Sequence, residues 1–297
     1  MDFEYNSNAR SLSTSRCKTI GVIYPDYENE YHNSQYLDLL VNDVRHNLEK
    51  LGYDCLIFQA TRPTDGASNM RRLILQKKVD GFVVVVSNMQ ASDWDIVAKY
   101  QVPMVQIHSK PLYAPAALKT SDYDYFFTDN RCGGHLATEH LLARGCTSIL
   151  CLADRHAGPE MIERTQGYLD AIEGKQRPFV LDSVSDFDSV LEFLRGHWVD
   201  IDRVDGIFAH TDIMAIAAIQ ACREKGIDVP TKLRIVGFDD IPMGKIMSPK
   251  LTTVHQPREA EAELACRQLA RLIEDTALST PREQRFIKPT LIVRESA

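Results

Sequence analysis

No stretch of the 297-residue chain is long and apolar enough to span a bilayer. Its longest uncharged runs, such as Phe82–Gln90, fall far short of the ~20 apolar residues a helix needs to cross. The start, Met1-Asp2-Phe3-Glu4-Tyr5, lacks the basic and apolar regions of a secretory signal. There is no C-x-x-C pair, and the seven cysteines are odd in number and scattered. They read as free thiols in a reducing compartment, which makes a cytoplasmic location the expectation. Positive charge is also in deficit: 41 acidic against 34 basic residues leave a formal charge of −7. The bulk of such a chain does not wrap nucleic acid, although a local basic element is compatible with it. The nucleotide-binding, nucleophile-elbow and zinc-protease patterns are missing. Gly133-Gly134 lacks the third glycine of a dinucleotide fingerprint, and His135 and His140, five apart, do not share a helix face. No metal and no cofactor is expected. Asp239-Asp240 could serve as an acid–base pair, but a ligand clamp at the end of a strand is equally open to them.

What is present is a soluble composition, 44% hydrophobic and 25% charged, and a regular alternation. Short β-branched runs recur at Thr19–Tyr24, Cys55–Phe58, Gly81–Val86, Met104–Ile107, Phe126-Phe127, Ser148–Leu152, Phe179–Leu181, Gly206–Ala209, Leu233–Phe238 and Leu291–Val293. Amphipathic stretches separate them over Ser34–Leu51, Ser68–Lys78, Asp93–Tyr100, Gly134–Arg144, Met161–Ile172, Ser189–His197, Ile213–Lys225 and Glu259–Glu274. Strands apolar on both faces, alternating with helices, predict an α/β protein with parallel sheets covered on both sides. A dozen or so elements exceed one sheet, so two doubly wound subdomains with a ligand cleft between them are expected, with ligands at the carboxyl ends of strands.

The motifs then become specific. They are Thr19-Ile20-Gly21-Val22-Ile23 with Pro25-Asp26, Gly52-Tyr53-Asp54, Val79-Asp80-Gly81, Asp129-Asn130 with Gly133-Gly134, and Ala137-Thr138-Glu139-His140-Leu141. Glu163-Arg164 with Gly167-Tyr168, Val229-Pro230, Ile235–Pro242, Pro249 with Leu251–Val254, and Val293–Ser296 follow in order. Together they resemble the lac repressor/galactose repressor family of bacterial transcription regulators over nearly the whole chain. The resemblance implies a periplasmic-binding-protein-like fold. The subdomains are expected as 18–146 plus 254–283 and 147–253 plus 284–297. Residues 1–17 resemble the family's hinge segment, disordered without DNA. Asn6, Ala9, Arg10 and Leu12 match its DNA-contacting positions, with Leu12 as the minor-groove wedge. Tyr5 departs from the family's usual proline. The helix-turn-helix headpiece is missing ahead of Asn6, and a fragment is expected over a natural protein without one.

The resemblance also implies an effector site. Arg164 matches the ligand-binding arginine, whose planar guanidinium can hold two oxygens at once. Asp239 matches the carboxylate that accepts from ligand hydroxyls, and Phe187 the stacking aromatic. Thr211 takes the place of a common asparagine. In the first subdomain Tyr31 and His32 form a wall, and Ser87 and Asn88 offer short polar groups. Asp129 is expected near the cleft, orienting Arg164. As cleft residues, Arg164 and Asp239 are expected to contribute little to the core. None of these residues is assigned a bond-breaking role, so the chain is read as no enzyme. Its partner is a small-molecule effector, a sugar or sugar derivative, and operator DNA is reached only through headpiece and hinge. A homodimer is expected, without a membrane partner. The competing readings are a free sugar-binding receptor of the periplasmic type and a sugar-processing enzyme.

Overall fold

In the computed structural model, which describes residues 16–24, 35–62, 65–85, 89–110, 123–154, 158–183, 186–275 and 279–297, the chain divides into two compact units. Unit 1 is Met1–Phe127 with Arg258–Phe286, and unit 2 is Thr128–Pro257 with Ile287–Ala297. The hinge positions Asn6, Ala9, Arg10 and Leu12 lie outside the described residues.

In unit 1, β1 (Thr19–Tyr24) is buried at five of its six residues, as a strand with both faces covered must be. It pairs in parallel with β2 (Asp54–Gln59) and β3 (Gly81–Val84). β4 (Met104–Ile107) and β5 (Asp124–Thr128) continue the parallel sheet beyond β3. One face is covered by α2 (Asn69–Leu75) and α3 (Ala91–Tyr100), whose Met70, Leu73 and Trp94 join Phe82 and Val84 in one apolar cluster. The helices α1 (Gln35–Lys50) and α10 (Arg258–Glu274) pack against each other and on the sheet. An edge strand, β11 (Gln284–Ile287), completes the order β11-β5-β4-β3-β1-β2.

In unit 2 the order is β12-β10-β9-β8-β6-β7, formed by β6 (Ile149–Asp154), β7 (Val180–Ser183), β8 (Gly206–Ala209), β9 (Arg234–Phe238), β10 (Thr252–His255) and β12 (Thr290–Ile292). All pairings are parallel except that of β12 with β10, and the short helices α7 (Trp198–Ile201) and α9 (Met243–Ile246) belong to the same unit. The period of two sorts the side chains onto two faces. Leu150 and Leu152 of β6 meet α6 (Phe187–Gly196) and α8 (Asp212–Glu224) through Val190, Leu194, Met214 and Ala218. Ile149, Cys151 and Ala153 meet α4 (Asn130–Ala143) and α5 (Pro159–Ile172) through Ala137, Leu141, Tyr168 and Ile172. The doubly wound expectation holds in each unit.

Both units use one device at the start of the central strand. Val79-Asp80-Gly81 and Val204-Asp205-Gly206 share a sequence. Asp80 accepts from the backbone N–H groups of Cys17 (2.9 Å) and Lys18 (2.7 Å), and Asp205 from those of Thr147 (2.8 Å) and Ser148 (2.9 Å). Each carboxylate satisfies donors at which the chain enters β1 or β6.

Two features differ from the sequence expectation. The chain divides after Phe127, whereas the expected subdomain boundary stood at residue 146; α4 joins unit 2 because its closest packing partner is α5. Strands β10 and β11 stand outside the alternation seen in the sequence, and Gln284–Ile287 has three exposed residues and no apolar alternation.

Candidate functional site

The parallel strands β8 and β9 of unit 2 end at Ala209 and Phe238, and the residues that follow them, His210 and Asp239, converge on Arg164 of α5. Arg164 is only 1% exposed, unusual for an arginine and tolerable only when the charge is well partnered. Its Nε donates to Oδ1 of Asn130 at 2.9 Å, and Nη1 donates to the carbonyl oxygen of His210. Nη1 also stands 3.6 Å from Oδ1 of Asp239. The guanidinium carbon lies 3.7 Å from the centre of the Phe238 ring, so the face of the cation is covered as well.

Two glycines bring this about. A Cβ on Gly134 of α4 would lie 2.2 Å from the carbonyl oxygen of Arg164, and one on Gly167 of α5 would lie 2.1 Å from that of Arg131. Only residues without a side chain let the helix backbones approach this closely. The approach puts Asn130, at the first turn of α4, within reach of Arg164.

His210 is fully buried behind the arginine. Its Nδ1 accepts from the backbone N–H of Asp154 (3.3 Å), which leaves the proton on Nε2, 3.0 Å from Oγ1 of Thr165. Burial, reinforced by the Arg164 charge, pushes its pKa down to about 3, so the ring is neutral.

Asp239 follows β9 with φ at +124°, a region that L-residues seldom occupy, and its N–H is held by the carbonyl of Val254 (2.8 Å). Gln256 Nε2 donates to its Oδ1 at 2.7 Å. Burial pushes the Asp239 carboxyl up to about 6 against the pull of Arg164 and Gln256. Asp212, at the start of α8, is pushed well above the usual carboxylate range by burial and by the neighbouring Asp239. It accepts from Oγ1 of Thr253 and from the N–H of Ile241 (2.8 Å), which fixes the loop after β9. The next residue, Asp240, is committed elsewhere, to Arg294, His255 (3.2 Å) and Lys245 (3.5 Å). Burial would raise its pKa, but these partners hold it at about 2. Asp239 and Asp240 are therefore not an acid–base pair sharing one environment.

Of the residues expected from the sequence, Arg164 and Asp239 are brought together. Thr211 caps α8, its Oγ1 accepting from the N–H of Met214 (3.2 Å). Phe187 opens α6 and packs against the apolar cluster beneath it. Asp129 was expected to orient Arg164. Instead it caps α4 by accepting from the N–H of Cys132 (2.9 Å), and Asn130, one residue on, does the orienting. The expectation that Arg164 contributes little to the core is corrected by its burial and its partners. Tyr31, His32, Ser87 and Asn88 lie outside the described residues. Sequence reasoning missed Asn130, His210 and Gln256; only Asn130 carried a signal, standing in the Asp129-Asn130 motif. Among the described residues no cluster of His, Cys, Asp and Glu is placed to hold a metal, and no helix is long and apolar enough to cross a membrane.

Residues 138–297 match the family described as a periplasmic binding protein-like domain. The ribose operon repressor of Halalkalibacterium halodurans is 29% identical over 303 residues, covering 100% of this chain and 84% of the relative. The HTH-type transcriptional regulator DegA of Bacillus subtilis is 29% identical over 272 residues, covering 89% of this chain and 77% of the relative. Among solved structures, a periplasmic binding protein/LacI transcriptional regulator from Alkaliphilus metalliredigens, complexed with D-xylulofuranose, superposes with a TM-score of 0.76 at 25% identity. That match covers 94% of this chain and 98% of the other. The chain thus belongs to the family of periplasmic-binding-protein-like domains, and its homologues are LacI-family transcription regulators.

Proposed function

We propose that this chain is the effector-binding core of a transcription regulator, and that its effector is a sugar or sugar derivative bound in unit 2 by Arg164 and Asp239. The observation that carries the reading is the pairing of a buried guanidinium with a carboxylate at the ends of parallel strands, where α/β sheets take their ligands. The two groups are complementary to a polyol: the guanidinium donates to ligand oxygens and the carboxylate accepts from hydroxyls. The names of the relatives point the same way, one a ribose operon repressor and one a structure holding D-xylulofuranose. Phe187, Thr211 and Asp129 border the same ligand in this reading, and none is assigned a bond-breaking step.

The ligand acts by binding one conformation of the protein better than another, and that difference in affinity supplies the coupling to DNA. A twofold homodimer suits a palindromic operator, read through headpieces and a hinge containing Asn6, Ala9, Arg10 and Leu12. Such a regulator works in the cytoplasm. The test is a thermal-shift screen over pentoses, hexoses and their derivatives. A ligand at 100 times its dissociation constant adds ~2.7 kcal/mol of stability and raises the melting temperature by several degrees. A screen in which no sugar shifts the transition would overturn the reading.

A further inference from the structure

One carboxyl group of unit 2 has no use in the arrangement described above. Glu160, on the first turn of α5, is only 3% exposed, yet neither of its oxygens meets a donor of any other described residue, and only its own backbone N–H lies close to the carboxyl. A buried carboxyl that finds no donor beyond its own backbone N–H is costly, and native structures seldom keep one without a reason. It stands four residues before Arg164, so the two side chains leave the same face of the helix one turn apart. The carboxyl folds back over Gly158, where a Cβ would come within 2.5 Å of Oε1 and 2.8 Å of Oε2. Glycine at that position makes room for it.

Among the described residues, the charges that act on Glu160 are the Arg164 guanidinium and the Glu163 and Asp154 carboxylates. Burial raises its pKa most, its own backbone N–H and then Arg164 oppose the rise, and the Glu163 and Asp154 carboxylates add smaller increments to it. Arg164 is already engaged by Asn130, the carbonyl of His210, and Asp239. A ligand entering beside Arg164 therefore meets the carboxyl groups of Asp239 and Glu160, and the Glu160 oxygens still lack a donor from another described residue. An anionic group there would add repulsion, whereas an ammonium or amine would supply the missing donors.

We propose that Glu160 is a specificity-determining residue of the unit 2 site, which selects a polyol bearing an amino group and rejects phosphorylated sugars. The inference rests on the reading of this site as polyol-binding. It is tested by calorimetric titration of the chain at pH 7.5 with matched sets of neutral, amino and phosphorylated sugars. D-glucose, D-glucosamine and D-glucose 6-phosphate form one set, and the galactose, mannose and ribose counterparts form the others. In at least one set the amino sugar binds about tenfold or more tightly than its neutral parent, and the phosphate binds in none. Glu160→Gln, which keeps the shape and removes the charge, brings the amino sugar to within about threefold of the neutral one. The melting temperature of the free variant is not lowered, so a loss of fold does not account for the change. If neutral sugars bind, lose affinity in Arg164→Lys, and are matched by their amino forms in both wild type and Glu160→Gln, the inference falls while the site stands. A phosphorylated sugar binding as tightly as its parent also overturns it. If no member of any set binds, the site reading falls and the inference with it.

Discussion

Arg164 Nη1 and Asp239 Oδ1 stand 3.6 Å apart with side-chain exposures of 1% and 11%, and the arginine is otherwise tied to α4 through Asn130 and to the end of β8 through His210. The same side chain thus joins the site to the frame. Replacing it by an uncharged residue leaves Asn130 Oδ1 and the His210 carbonyl without this donor and Asp239 without its counter-charge, and a buried pair broken on one side costs about 3–5 kcal/mol. Arg164→Met is expected to lower the unfolding free energy by about that amount in urea titrations. A variant within 1 kcal/mol of wild type would show that the arginine is not the junction described.

The ionisable groups behind this pair predict a distinctive pH profile. The folded pKa of Asp239, about 6, lies above the ~3.9 of an unfolded aspartate. The fold favours its neutral acid, so this contribution is present at low pH and is lost as pH rises through 4 to 6. His210 works the other way. Its folded pKa of about 3 lies below the ~6.5 of the unfolded ring, so its contribution is present above pH 6.5 and is lost as pH falls. The two oppose each other between about pH 4 and 6. Asp239→Asn removes the first contribution, and its stability should climb with pH across this window more steeply than that of wild type, by up to about 1.4 kcal/mol per pH unit. Melting temperatures at half-unit intervals from pH 4 to 7 check this. A slope equal to or shallower than that of wild type would contradict it.

The crossing of α4 and α5 predicts which glycines matter. Gly134→Ala and Gly167→Ala each drive a methyl group into backbone of the facing helix, at 2.2 Å and 2.1 Å, and should cost about 1–3 kcal/mol or more. Gly196→Ala is the control, since a Cβ there meets nothing within 4 Å. It should leave stability unchanged to within about 0.5 kcal/mol. Equal effects at all three positions would mean that the close approach is not what these residues provide.

The frame of each unit was legible in the sequence because its central strands are apolar on both faces and its helices carry one apolar stripe. Glycine pairs and strand-end aspartates were legible as motifs, and Arg164 and Asp239 were found that way. What escaped was whatever depends on contacts distant in the chain. Gln284–Ile287 forms a strand because the edge of β5 is available to it, and its own side chains show no alternation. Asp129 and Asn130 are adjacent short polar residues at a helix start, and only the direction of each side chain separates the cap from the group that orients Arg164. Burial of His210 and Glu160 is set by what packs over them, which leaves no periodic trace. The unit boundary after Phe127 has the same cause, since α4 follows β5 in the chain but packs on α5.

The central claim is that Arg164 and Asp239 together hold the effector. Its most direct measurement is calorimetric titration of wild type, Arg164→Lys and Asp239→Asn with the sugar that gives the largest thermal shift, each variant first confirmed to be folded at the working temperature. Loss of a directed hydrogen bond to a buried ligand group costs about 1–3 kcal/mol, so each variant should bind about tenfold or more weakly, at 1.4 kcal/mol per decade. Folded variants that both bind the sugar with wild-type affinity would contradict the account and place the effector elsewhere in the chain.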